Sequence, residues 1–204
     1  MAKLDFNPQG YVFQDGLSRI RQSYESASTA VYADLERAKE EAVTYQQELD
    51  QGGEWKGERD DEGYVLWDHS TVLEMNIDNA REALLALEAA FMVISYHHWE
   101  RSALIWTGLV QETHDKLAAK VIALGYPIDP HLGELRDLAN TIKHNNDKWG
   151  EKLLAHRPDL LTISSKHHNW KTNWYAKLNL SQKTVEEFFE IVARSGPNTK
   201  MVFS

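Results

Sequence analysis

From Leu73 to His98 one apolar stripe runs without a break: Leu73, Ile77, Ala80, Leu84, Leu87, Phe91, Ile94 and His98 alternate by four and three residues. Side chains on a strand alternate every two residues, so a repeat of this kind requires a helix with a heptad seam. Such a seam is either the core strip of an antiparallel bundle or one half of a dimeric coiled coil. A second stripe, Leu85, Met92 and Trp99 with Ile105 and Leu109 beyond, widens the apolar face and argues for burial among several helices. The helix is expected over about 70–107, with a break at Gly108.

Upstream, Leu17, Ile20, Tyr24, Ala27, Val31, Leu35, Ala38, Ala42, Tyr45 and Leu49 recur every three or four residues, which is one face of a long amphipathic helix over about 17–49. Gln51-Gly52-Gly53 stops it. The stretch from Glu54 to Asp68 carries charges, Gly57 and Gly63 but no helical period, so it reads as an exposed excursion over about 51–69 with no strand of useful length. A third helix is expected over about 110–124. It is closed by Gly125-Tyr126-Pro127, since glycine suits the position after a helix and proline disfavours helix in the residue before it. A fourth covers about 130–144, with Leu132, Leu135, Leu138, Ala139 and Ile142 as its apolar side, and Asn145-Asn146-Asp147 ends it. A short helical turn from Trp149 to Ala155 leads into Arg157-Pro158-Asp159-Leu160 and a polar, aromatic loop to about 176. Ser181 is a suitable N-cap for a last helix over about 182–194, packing through Val185, Phe188, Phe189 and Val192. The chain thus reads as one all-α domain, an up-and-down bundle of about five helices with its core over about 17–194.

Composition narrows the function classes. The sequence has no cysteine, which removes disulfides, thiolate zinc sites and cysteine nucleophiles. No apolar run approaches the roughly 20 residues of a bilayer span, and the opening MAKLDFNPQG has no apolar signal core. No membrane partner and a cytoplasmic address are therefore expected. Phosphate loops of the G-x-x-x-x-G-K-[ST] kind, G-x-G-x-x-G, the G-x-S-x-G elbow and H-E-x-x-H are all absent. The pairs His97-His98 and His167-His168 diverge by about 100° on a helix and cannot face one metal, so neither a metal nor a cofactor is expected. His98 continues the heptad seam and reads as a satisfied buried imidazole. The charge is uneven: residues 1–100 hold 8 Lys+Arg against 20 Asp+Glu and residues 101–204 hold 14 against 11, so the halves are −12 and +3. The acidic half reads as a solvated face, while the basic half points to a phosphate-bearing partner. Within the basic half, Trp149, Trp170 and Trp174 mix with Lys148, Lys152, Arg157, Lys166 and Lys171, a composition that suits single-stranded nucleic acid and equally a folded loop cap.

The fourth helix carries the main candidate site. Arg136, Asn140 and His144 are spaced i, i+4, i+8, so successive side chains are offset by only about 40° and form one polar ridge, with Leu135, Leu138 and Ile142 at other angles. Guanidinium, amide and imidazole together provide a phosphate clamp, an orienting group and a group titrating near neutral pH. Cleavage of a phosphodiester by a ribose 2′-hydroxyl needs such a set; a plain solvated helix face would show the same spacing.

The run Leu135-Arg136-Asp137-Leu138-Ala139-Asn140-Thr141-Ile142-Lys143-His144-Asn145, followed by Arg157-Pro158-Asp159-Leu160, resembles the "ANTIKHG … RPDLF" signature of a plasmid- and phage-associated branch of the HEPN superfamily. Ser95-Tyr96-His97-His98-Trp99-Glu100-Arg101 looks like that branch's "W-E-R" segment on the long second helix. The resemblance covers 95–160 and, through the long-helix architecture, extends to 17–194. It implies an all-α bundle that forms a homodimer. It also implies a metal-independent endoribonuclease of a toxin–antitoxin or antiviral defence system, acting on RNA beside a cognate antitoxin or defence partner, or else a non-catalytic RNA- or protein-binding module. A helical scaffold with no nucleic-acid role is the third reading. The superfamily's usual motif is an Arg followed at once by a polar residue, with a His four residues later. Asn140 and His144 match, Ala139 stands at the Arg position, and Arg136 or Lys143 is left to supply the charge. The catalytic set implied is His144, Asn140, Arg136 and Glu100, with Lys143, Lys148 and Arg101 binding RNA. Glu100 would either orient the His144 imidazole or form a buried ion pair with Arg136, and Trp99 would be core or a base-stacking platform.

Overall fold

A computed structural model of the chain describes residues 6–163 and 172–199. Helices account for 72% of it, with one small two-stranded sheet, so the chain is an all-α helical bundle. The elements in order are α1 (Pro8–Asp50), β1 (Gly57–Arg59), β2 (Val65–Asp68), α2 (His69–Thr107), α3 (His114–Ala123), α4 (Leu132–His144), α5 (Asp147–His156) and α6 (Gln182–Ala193). Short 3₁₀ turns lie at Pro158–Leu160 and Tyr175–Lys177. The chain divides into two compact units, Met1–Tyr24 with Glu88–Ser204, and Glu25–Leu87. No helix among the described residues is long and apolar enough to cross a membrane.

α1 starts at Pro8, nine residues earlier than the apolar period suggests. The cause is local. Asn7 caps the helix, its Oδ1 accepting from the Gln9 and Gly10 N–H groups at 3.1 and 3.2 Å, and proline fits the first helical position. α3, by contrast, begins later than expected, after Thr113 in extended conformation. Asn146 does more than end α4: its side chain accepts from the Trp149 N–H, so α5 is a capped helix of 10 residues where only a turn was expected. Ser181 caps α6 as expected. The excursion after α1 is not strandless. Gly57–Arg59 and Val65–Asp68 pair antiparallel around a turn in which Asp60 Oδ1 accepts from Tyr64 N–H at 2.8 Å.

In the unit containing α3 to α6, the core gathers Phe13, Leu17 and Tyr24 from α1, Met92, Tyr96, Trp99 and Ala103 from α2, Leu117 and Val121 from α3, Leu135 and Leu138 from α4, Leu153 from α5 and Phe188, Phe189 and Val192 from α6. On α2 both stripes hold in part: Met92 and Trp99 of the second stripe are buried but Ile105 is 75% exposed, and Leu73 of the heptad seam is buried but Ile94 is 44% exposed, while Ala89, Tyr96 and Ala103 complete the buried line. His98 ends that seam as a satisfied imidazole: Nε2 lies 2.9 Å from the Phe13 carbonyl, the ring stacks on Phe13, and burial holds its pKa below the ordinary value. Trp99 is core, fully buried, and its Nε1 has no hydrogen-bond partner among the described residues.

Candidate functional site

α4 is pinned at both ends before it presents anything. At its start Asp129 accepts from His131 N–H and from Arg194 Nε at 2.9 and 2.7 Å, and Ser195 accepts from the Asp129 N–H at 3.1 Å, which joins α4 to the end of α6. At its end Asn145 adopts a left-handed conformation (φ 43°), and its side chain bonds Asn173 and the Tyr175 N–H. Arg157 of the Arg-Pro-Asp-Leu run is the third tie. Its guanidinium reaches Glu134 of α4 at 3.2 Å, Glu187 of α6 at 2.8 Å and Asp159 at 2.9 Å, with its pKa raised by the Asp159 bond against burial.

Between these ties Leu135, Asp137, Leu138, Ala139 and Thr141 are buried, Arg136 and Asn140 are half-buried, and Lys143 and His144 are exposed. Asp137 is the unexpected member. Its carboxylate is 1% exposed and takes Arg136 Nε at 2.9 Å on one oxygen and His156 Nδ1 at 3.2 Å on the other. Arg136 also bonds Asp115 of α3 at 2.8 Å. Burial opposes the Arg136 charge, but these two carboxylates outweigh it and hold the pKa above the ordinary value. The guanidinium is therefore tied to protein carboxylates.

Glu100 meets neither of its expected partners: it bonds His97 Nδ1 at 2.9 Å, one helical turn back on α2. A carboxylate and an imidazole at i, i+3 on one helix are neighbours on its surface, and Glu100 makes that local pairing. His144 lies eight residues beyond Arg136, about 12 Å along the helix axis, and forms no hydrogen bond or ion pair among the described residues. Among the described residues no hydrogen bond or ion pair joins Glu100, Asn140 or His144 to Arg136 or to one another. Arg101 sits on α2, exposed, in a groove with His97, His98 and Ile94 rather than beside Lys143.

Two groupings stand in place of the expected one. Behind Arg136, Tyr96 Oη lies 3.2 Å from His114 Nδ1, and the Trp99 ring packs 5.2 Å from the His114 ring. Burial, and then the Arg136 charge, lower the His114 pKa to about 4; burial, and then Glu100, raise that of Tyr96. Both are neutral at pH 7, and they lie within reach of the Arg136 and Asp137 charges. The sequence offered only His114 beside Asp115 and the acid next to Arg136 as signals of this grouping.

Around the α4–α5 turn the second grouping faces solvent. Lys143 and His144 end α4, and Trp149 of α5 is half-buried with the Lys148 and Lys152 ammonium groups 5.0 and 4.8 Å from its ring centre. Comparison with family models, with curated proteins and with solved structures finds no match. The site is therefore read from its own residues. Trp174 is a fully buried cap, its Nε1 donating to Asp147 at 2.8 Å, and Arg157 is likewise structural; Lys166, His167, His168, Trp170 and Lys171 lie outside the described residues. No group of three His, Asp or Glu able to hold a metal occurs among the described residues.

Proposed function

We propose that this chain is a HEPN-like domain that binds single-stranded RNA at the α4–α5 turn without cutting it. The observation that carries this reading is the pairing of one partly open tryptophan with two cations, Lys148 and Lys152, next along the chain to exposed Lys143 and His144. An aromatic face stacks any base, and the long, exposed lysine side chains that lie over the ring swing aside to meet the phosphates on either side. Cleavage is disfavoured because Arg136, the cation nearest the motif position, is held by Asp137 and Asp115, and Ala139 is buried.

The test is fluorescence anisotropy with a short labelled RNA. Trp149→Ala should weaken binding roughly tenfold, the order expected for one lost base stack. Lys148→Ala with Lys152→Ala should do the same with an unchanged thermal midpoint, since both lysines are exposed. Equal affinity in the lysine pair variant and the parent overturns the reading. A second reading, metal-independent cleavage, is favoured by the unpartnered His144 imidazole one turn from Asn140. It requires that RNA be cut in chelator to leave a 2′,3′-cyclic phosphate and that His144→Ala abolish cutting. In either case the reading carries a homodimer in a toxin–antitoxin or defence setting, and a monomer by light scattering at micromolar concentration removes that part.

A further inference from the structure

The Glu25–Leu87 unit concentrates the acidity of the chain: it holds 5 Lys+Arg against 16 Asp+Glu, a net −11, which leaves the remainder at +2. From this acidic unit stands an ordered hairpin whose apolar side chains face outward. Tyr64, Val65, Leu66 and Trp67 are all exposed, Leu66 at 61%. The hairpin is built to hold that display. The Lys56 N–H donates to Tyr45 Oη at 2.9 Å, the His69 N–H to the Lys56 carbonyl at 2.9 Å, Trp67 Nε1 to Glu58 at 3.3 Å, and the Arg59 guanidinium lies over the Trp55 ring at 4.9 Å.

At its base a groove of about 490 Å³ has Tyr45 and Leu73 as its buried floor and Glu40, Glu41 and Glu48 along its wall. These three carboxylates form no hydrogen bond or ion pair among the described residues, whereas the groove's own cations are engaged, Arg37 with Asp34 at 2.6 Å and the Lys56 ammonium over the Tyr45 ring at 5.6 Å. Tyr64 and Leu66, two residues apart on the extended chain, share one side of the hairpin; exposed apolar side chains on one side mark an interaction surface, and the charge beside it selects what can approach.

We propose that this hairpin and groove dock a basic segment of a partner polypeptide, whose lysines or arginines answer Glu40, Glu41 and Glu48 and whose apolar side chains cover Tyr64 and Leu66. Nucleic acid and an anionic membrane are repelled by the net −11. A second copy meeting through the same face would set −11 against −11, and the remainder of a second copy, at +2, brings little compensating charge. The proposal is independent of RNA binding at the α4–α5 turn.

The experiment titrates the full chain into a fluorescein-labelled peptide of alternating lysine and leucine, with a glutamate–leucine peptide of equal length as control. Saturable binding in the micromolar range is expected for the lysine peptide. It should weaken at least tenfold in Glu40→Gln/Glu41→Gln/Glu48→Gln and, separately, in Tyr64→Ser/Leu66→Ser, with helix content and thermal midpoint unchanged because all five side chains are exposed. Retained affinity in either variant, or equal binding of the glutamate peptide, overturns the proposal. So does a homodimer that dissociates in Tyr64→Ser/Leu66→Ser, which would make a second copy the occupant, or displacement of the peptide by single-stranded RNA.

Discussion

Asp137 and Ala139 lie on either side of Leu138 on α4, and all three are buried. Ala139 stands where the resembled motif has its arginine, and at 1% exposure its methyl is packed in the core. Ala139→Arg should therefore destabilise the fold by about 3 kcal/mol or more, the cost of overpacking together with an unpaired buried charge, and should not confer cleavage. Urea denaturation measures the first effect; a variant with parental stability and new RNase activity would show that the position opens to solvent. His114 supplies a pH test. Its folded pKa of about 4 lies below the ordinary 6.5, so between those values the unfolded chain binds more protons, and stability present above pH 6.5 is lost as pH falls toward 4. The loss amounts to about 3 kcal/mol, modified by the neighbouring Tyr96, Glu100, Asp115, Arg136 and Asp137, and His98 acts in the same direction. Denaturation midpoints taken from pH 7 to 4.5 should fall less steeply in His114→Gln than in the parent; identical slopes would place the pH dependence elsewhere.

At the scale of elements, α5 and the buried Trp174 fit only because residue 150 has no side chain: a Cβ at Gly150 would come within 1.9 Å of the Trp174 ring. In an open helix Gly→Ala is stabilising by about 1 kcal/mol. Here Gly150→Ala should instead destabilise by about 1–3 kcal/mol through overpacking, and a higher thermal midpoint in this variant would mean that the ring can withdraw. The same helix shows how far the sequence could be read. Long helices announce themselves because every turn repeats the apolar signal, so α1, α2, α4 and α6 are visible with their capping residues Ser181 and Asn145. α5 is short, and its evidence is one side chain, Asn146, that serves as the stop of one helix and the cap of the next. The hairpin gives no period because its side chains face solvent on both sides. Of the site, spacing picked out His144, the resemblance Lys143, and the mixture of basic and aromatic residues Lys148, all three exposed; none of these signals could show that Arg136 belongs to Asp137 and Asp115, since those pairings depend on how α3 and α4 pack.

For the whole molecule, net charge and local charge make opposite claims about RNA. At −9 the chain repels a polyanion at long range, and only the lysines around the α4–α5 turn attract it at contact. Each phosphate neutralised on a single strand releases condensed counterions and contributes about −0.7 to the slope of log K against log salt. If Lys143, Lys148 and Lys152 make the contacts, that slope should be about −2, well short of the value for a surface covered in cations. Removing any one lysine should reduce its magnitude by about 0.7 while leaving the stacking contribution of Trp149, which salt does not screen. Anisotropy titrations across a range of potassium chloride concentrations measure both quantities. A slope far steeper than −2, or one that does not respond to Lys148→Ala, would move the RNA contact to another surface.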